Sequence, residues 1–157
     1  MANEVLYVPG FIKGVLAADA ALVAAIPAAR HHHRRVPQGE TVFPRVLYRY
    51  QDGGAGQTGN KRKLIAWAVF QIVSVRHVRG GETAAEQEAA RTGANRIDAL
   101  FGEDNVRRRG YTAPDSVVLT FNTYLDDLGY ISRELEGPTA AESFIHAGGF
   151  YRFEAFN

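Results

Sequence analysis

Residues 64–78, LIAWAVFQIVSVRHV, decide the fold. Successive side chains of an extended chain point to opposite faces. Ile65, Trp67, Val69, Val73 and Val75 therefore share one face, and Leu64, Phe70 and Ile72 share the other. A strand that is apolar on both faces belongs in the middle of a sheet. Helices would cover one side of it, and another layer or a second subunit the other. Gly80-Gly81 ends the run.

The flanking segments supply the helices. Upstream, Phe11, Ile12, Val15, Leu16, Leu22, Val23 and Ile26 recur at steps of three and four until Pro27 stops the run. Asp19 falls on that apolar stripe, where it reads as an N-cap dividing the segment into two short helices, the second over Ala20–Ile26. Downstream, Thr83-Ala84-Ala85-Glu86 is a capping-box pattern. The stripe Ala89, Ala90, Gly93, Ile97, Leu100 and Phe101 follows it, small enough in places for close packing on a sheet, and Gly102 is a natural stop.

The other segments read as strands and turns. Arg30–Val36 is strand-like, and Pro37-Gln38-Gly39 to Phe43-Pro44 forms a loop of fixed shape. Arg45–Tyr50 alternates as a strand. Asp52–Asn60 holds four glycines and no large apolar residue, which predicts a mobile hairpin tip. Further strands are predicted at Val117–Phe121, Tyr130–Glu136 and Ile145–Phe156, with Asp126-Asp127 in a turn. Thr139–Glu142 opens a helical turn or lies in the last loop. The expected fold is one α+β domain over residues 1–157: a mixed, mostly antiparallel sheet of about four strands, two main helices packed on one face, and a projecting hairpin loop.

Composition narrows the function. The 157 residues are 46% hydrophobic and 22% charged, enough to bury a core. There is no cysteine, which excludes disulfides, thiolate nucleophiles and cysteine-based zinc sites. Met1–Gly10 lacks the pattern of a signal peptide, and no apolar run approaches the roughly 20 residues a membrane span needs. The net charge is +1, unevenly placed. Residues 28–63 set eight basic residues against two acidic ones, +6, whereas residues 110–157 set two against seven, −5. Such polarity suits a head-to-tail contact between copies.

No catalytic constellation emerges. His31-His32-His33 invites a metal, but on a strand only His31 and His33 share a face, and no nearby Asp, Glu or Cys completes a site. Arg107-Arg108-Arg109 reads as a solvated loop, with phosphate contact as the functional alternative. The glycines of 53–59 precede Lys61 without the spacing, the following Ser/Thr or the helix of a phosphate loop. The expectation is a structural protein: no enzyme, no cofactor and no metal.

Three stretches together resemble the tail terminator, or tail-completion, family of long-tailed bacteriophages. Ala17–Ile26 is similar to that family's opening helix. Val36-Pro37-Gln38-Gly39, followed by Phe43-Pro44-Arg45-Val46-Leu47-Tyr48, resembles its P-Q-G … P-x-V-x-Y signature. The long strand through Val69–Val75 and the alanine-rich helix from Thr83 to Leu100 then follow in the family's order. The likeness spans roughly residues 10–101, and the chain departs from the family in Pro27–Arg35 and in the length of Gly102–Asp127. The resemblance implies a hexameric ring at the tail–neck junction of a virion, assembled in the host cytoplasm. Such a ring ends tube polymerisation, contacts the tail tube protein and the head-closure (stopper) protein, and lets DNA pass through its lumen without sequence-specific binding or any membrane. Its expected contact residues are Arg45, Arg49, Gly53, Gly54, Gln57, Lys61, Arg62, Lys63, Asp126 and Asp127. Two other classes remain open: another head–tail connector, or a nucleic-acid-binding module using residues 30–35, 61–63 and 107–109.

Overall fold

A computed structural model describes residues 6–39, 41–57, 63–80, 83–102, 107–139 and 141–156. Two short helices open the chain, α1 (Val8–Ala18) and α2 (Ala20–Ala25). They meet at Asp19, whose carboxylate accepts a hydrogen bond from the Leu22 backbone N–H at 2.8 Å. That bond satisfies one of the orphan donors of the second helix, and the extended backbone of Asp19 breaks the first. Then come β1 (His31–His33), β2 (Arg45–Gln57), β3 (Lys63–Arg79), α3 (Thr83–Phe101), β4 (Arg107–Thr112), β5 (Val118–Glu136) and β6 (Glu142–Phe156).

The strands form one curled sheet in the order β1-β2-β3-β6-β5-β4. β1 runs parallel to β2, and the other neighbours are antiparallel. Six strands and three α-helices replace the expected four and two. The differences at the edges are of two kinds. Arg107-Arg108-Arg109 lacks apolar alternation and reads as a loop, yet it pairs with Thr123, Asn122 and Phe121 as the start of β4. Charge is what an edge strand carries to deter stray pairing. At the other edge the strand expected over Arg30–Val36 shrinks to His31–His33, because Arg34 adopts a left-handed conformation (φ 64°) and turns the chain away.

Two further expectations are corrected. The strands expected at Val117–Phe121 and Tyr130–Glu136 merge into a single 19-residue strand, β5, which begins at Val118 and holds a bulge at Asp126–Gly129. Pairing with β6 carries the chain across the interruption. Asp52–Gln57 is no mobile tip either: Asp52 to Gly56 continue β2 and pair with Val69 to Ile65 of β3. The glycines tolerate extended pairing, and Gly53 is required there, since a Cβ would lie 2.7 Å from the Trp67 carbonyl oxygen. The rest of that predicted loop, Thr58–Asn60, lies outside the described residues.

β3 is third of the six strands and buried on both faces, as its sequence demands. Its even-numbered side (Ala66, Ala68, Phe70, Ile72) joins the main core with α1, α2, the end of α3, Leu119 and Phe121 of β5, and Tyr151 and Phe153 of β6. Aromatic rings fill the centre. Phe153 meets Phe11, Phe70 and Phe101 edge-on at 5.5–6.1 Å between centroids, and Phe11 stacks on Phe121 at 4.5 Å. α3 approaches β3 at Gly93, where a Cβ would stand 2.5 Å from the Ser74 hydroxyl. Among the described residues no helix is long and apolar enough to cross a membrane.

Candidate interaction surface

All three α-helices pack on the even-numbered side of β3. Among the described residues no helix covers the opposite side. Val69, Gln71, Val73 and Val75 are nevertheless 5% exposed or less there. Long side chains from neighbouring strands lie across them. The Arg152 guanidinium sits over the Trp67 ring at 4.1 Å, and the Arg49 Nε donates to Gln71 Oε1 at 2.5 Å. Phe43, His77 and Phe144 cluster with centroids 4.9–5.4 Å apart, and Arg45 caps the Phe43 ring at 4.0 Å. The aliphatic stems of arginine can shield apolar surface while the charged heads stay wet.

The curl of the sheet matters at one point of this face. β2 and β5 are separated by β3 and β6, and would stand about 14 Å apart in a flat sheet. Here both line one cavity of about 190 Å³. Arg34, Arg49 and Arg133 rim it, Leu47, Val73 and Leu135 supply apolar surface, and His146 of β6 lies among them. The His146 pKa is pushed down to about 4, first by burial and then by repulsion from Arg133, Arg49 and Arg45. The imidazole is therefore neutral at pH 7, and the arginines provide the charge. Among the described residues lining the cavity there is no carboxylate.

The structure distributes the expected contact residues unevenly. Arg45 and Arg49 of β2 lie on the uncovered face, close enough to act on His146. Gly53 and Gly54 lie further along β2 against Trp67 and are packing positions. Gln57 and Lys63 are paired ends of β2 and β3, and Lys61 and Arg62 lie outside the described residues. Asp126 and Asp127 stand apart from the arginines, in the β5 bulge. That bulge interrupts the register between Leu125↔Tyr151 and Tyr130↔Gly149. The Asp126 carboxylate accepts from the Leu128 N–H at 3.1 Å, Gly129 takes a φ of 72°, and Leu128 is 60% exposed at the tip.

Sequence reasoning missed Arg133 and His146. The alternation of β6 carried the signal: Phe144, His146, Phe150 and Arg152 oppose the buried Ile145, Ala147, Tyr151 and Phe153. The histidine run holds separate structural posts. His31 Nε2 lies 2.9 Å from the Ile26 carbonyl oxygen, and His33 stacks on Tyr48 at 5.2 Å. Burial lowers the pKa of both rings. Among the described residues no three His, Cys, Asp or Glu side chains converge as a metal site.

The sheet also leaves two strand edges open. β1 pairs with Val46–Tyr48 alone, so β2 from Arg49 to Gln57 has no outer neighbour among the described residues. β4 pairs with β5 as far as Thr123, which leaves Tyr124–Glu136 likewise open on the opposite flank. No protein-family model matches the chain, and no curated protein matches it.

Proposed function

We propose that this chain is a non-enzymatic structural protein of a virion, the subunit of a closed hexameric ring that ends a phage tail tube and joins it to the neck. The observation that supports it best is the pair of long open edges on opposite flanks of the sheet. An open edge is a row of unpaired backbone donors and acceptors that a second chain can complete. The edge on β2 starts at Arg49, beside Arg45, and also holds Asp52, whereas that on β5 carries Asp126, Asp127, Glu134 and Glu136 against Arg133. Two unlike, complementary flanks are what a heterologous contact needs, and such contacts close into rings when the rotation permits. The number six, the tail tube and the stopper protein come from the resemblance of residues 10–101 to tail terminators. Another connector of the neck would share the same assembly logic.

A nucleic-acid-binding module gains less support. Arg30–Arg35 and Arg107–Arg109 stand at opposite edges of the sheet, beside β1 and at β4, and do not form one basic face. The test is native mass by light scattering, with negative-stain images of the same sample. The reading expects six-fold rings at micromolar concentration. A monomer at every concentration, binding DNA with steep salt dependence, would overturn it in favour of the nucleic-acid module.

A further inference from the structure

We propose that the arginine-rimmed cavity on the uncovered face is a socket for a second copy of the chain: the acidic bulge of one subunit, Asp126-Asp127-Leu128-Gly129, enters between Arg34, Arg49 and Arg133 of the next. The proposal deepens the ring reading and takes from it the closure into six, but the contact itself stands on the two surfaces.

The socket lacks its counter-charge. Three guanidinium groups from separate segments gather at about 190 Å³ of space with no carboxylate among the described lining residues. Like charges gathered at a partly desolvated site repel, and an anion relieves that repulsion. The cavity is smaller than the roughly 300–1,000 Å³ of small-molecule sites, so it suits a side chain or two rather than a cofactor. Its apolar lining calls for an occupant that is part apolar.

The bulge has that composition. Two carboxylates directly precede a leucine held out at 60% exposure on the open edge of β5. The Asx bond from Asp126 and the left-handed Gly129 fix its shape, so little ordering entropy remains to be lost on docking. It cannot serve its own socket. Arg133 and Leu135 lie just beyond it on the same strand, tied to β6 at His146 and Phe144, and folding back would break that pairing. A knob and a socket at different places on one chain give a head-to-tail contact.

The chain has no cysteine, so introduced thiols report unambiguously. Leu128→Cys in one tagged preparation is mixed with Leu135→Cys in another, and the mixture is oxidised. Both positions are exposed, as is the control position Val118, tested as Val118→Cys against Leu135→Cys. The expected result is a disulfide between unlike chains for the 128–135 pair and none for 118–135. In parallel, D126R/D127R and R49D/R133D should each weaken self-association about tenfold or more at low salt. The fourfold variant combining them should regain it, and circular dichroism confirms that each variant is folded. If the wild type forms six-fold rings but the 128–135 link is absent and the reversals change nothing, the socket is wrong and the ring stands. If the link and the rescue appear in dimers or open chains without six-fold rings, the socket stands and the ring reading falls. No self-association under any condition sinks both.

Discussion

His146 occupies β6 between Val75 of β3 and Arg133 of β5, on the face shared with Arg45 and Arg49. Its folded pKa of about 4 lies below the unfolded value of 6.5, so between those values the unfolded chain holds a proton that the folded one does not. The stability it contributes is therefore complete above pH 6.5 and is lost as pH falls towards 4. Allowing for solvent screening of a partly exposed group, the loss should be about 1–2 kcal/mol. Urea unfolding at pH 7.5 and pH 5 measures it, and His146→Gln should show a smaller difference than the parent. Some pH dependence will persist in the variant, since burial also lowers the pKa of His31 and His33. An identical pH dependence in both proteins would remove His146 from the account. Gly148 gives a steric counterpart. It faces Val73, and a Cβ there would collide with the Ile72 carbonyl oxygen, which is backbone and cannot swing aside. Gly148→Ala should cost about 2–3 kcal/mol by chemical denaturation.

At the scale of elements, the joint between the helices is the most readily tested. Asp19 caps α2 through Leu22 and also binds Arg96 of α3, with Arg96 Nε 2.8 Å from its Oδ1. The hydrogen bond from Arg96 holds its pKa below the ordinary carboxylate value. Asp19→Ala removes the cap and the bridge together and should cost about 1–2 kcal/mol. Asp19→Asn should lose less, because an amide oxygen still caps. Gly93 sets how closely α3 lies on β3. Alanine there gains up to about 1 kcal/mol of helix propensity, but its methyl meets the Ser74 hydroxyl at 2.5 Å and the Ser74 Cβ at 2.9 Å in a buried layer. The expected net effect of Gly93→Ala is destabilisation of about 1 kcal/mol, with lower protection of the α3 amides in hydrogen exchange. A gain in stability would show that the helix can lift at no cost.

Across the whole molecule, the helix-covered face of the sheet is closed and the other is finished with arginine and aromatic side chains. On its flanks, the open stretch of β2 begins at Arg49, and that of β5 carries Asp126, Asp127, Glu134 and Glu136 against Arg133. If assembly uses those flanks, raising ionic strength from 0.1 M to 1 M shortens the screening length from about 10 Å to about 3 Å and should weaken self-association. Apolar burial at the contact should keep some association at high salt. Light scattering across a concentration series at both salt levels reads this directly. Association that strengthens with salt throughout would show that charge complementarity plays no part in it.

Local chemistry made several features legible in the sequence. The two-sided apolar run of 64–78 could only be central, the Asp19 cap had to divide the first helix, and Gly102 ended α3, its N–H bonding the Asp98 carbonyl at 2.7 Å. These depend on side-chain alternation and on backbone groups within a few residues. Much of the sheet's rim was not legible. The strand at Arg30–Val36 was legible, but not its shortening to His31–His33. Arg107–Arg109 and the glycines of 53–56 have weak strand character, and they are extended because a neighbouring strand offers hydrogen bonds to them. The socket was illegible for the same reason. Arg34, Arg49, Arg133 and His146 are scattered along the chain, and only the curl of a six-stranded sheet brings them around one cavity. Sequence alone settled the middle of the sheet, where burial on both faces leaves one solution. Tertiary structure settled its rims and its open face, where pairing and curvature outweigh local preference.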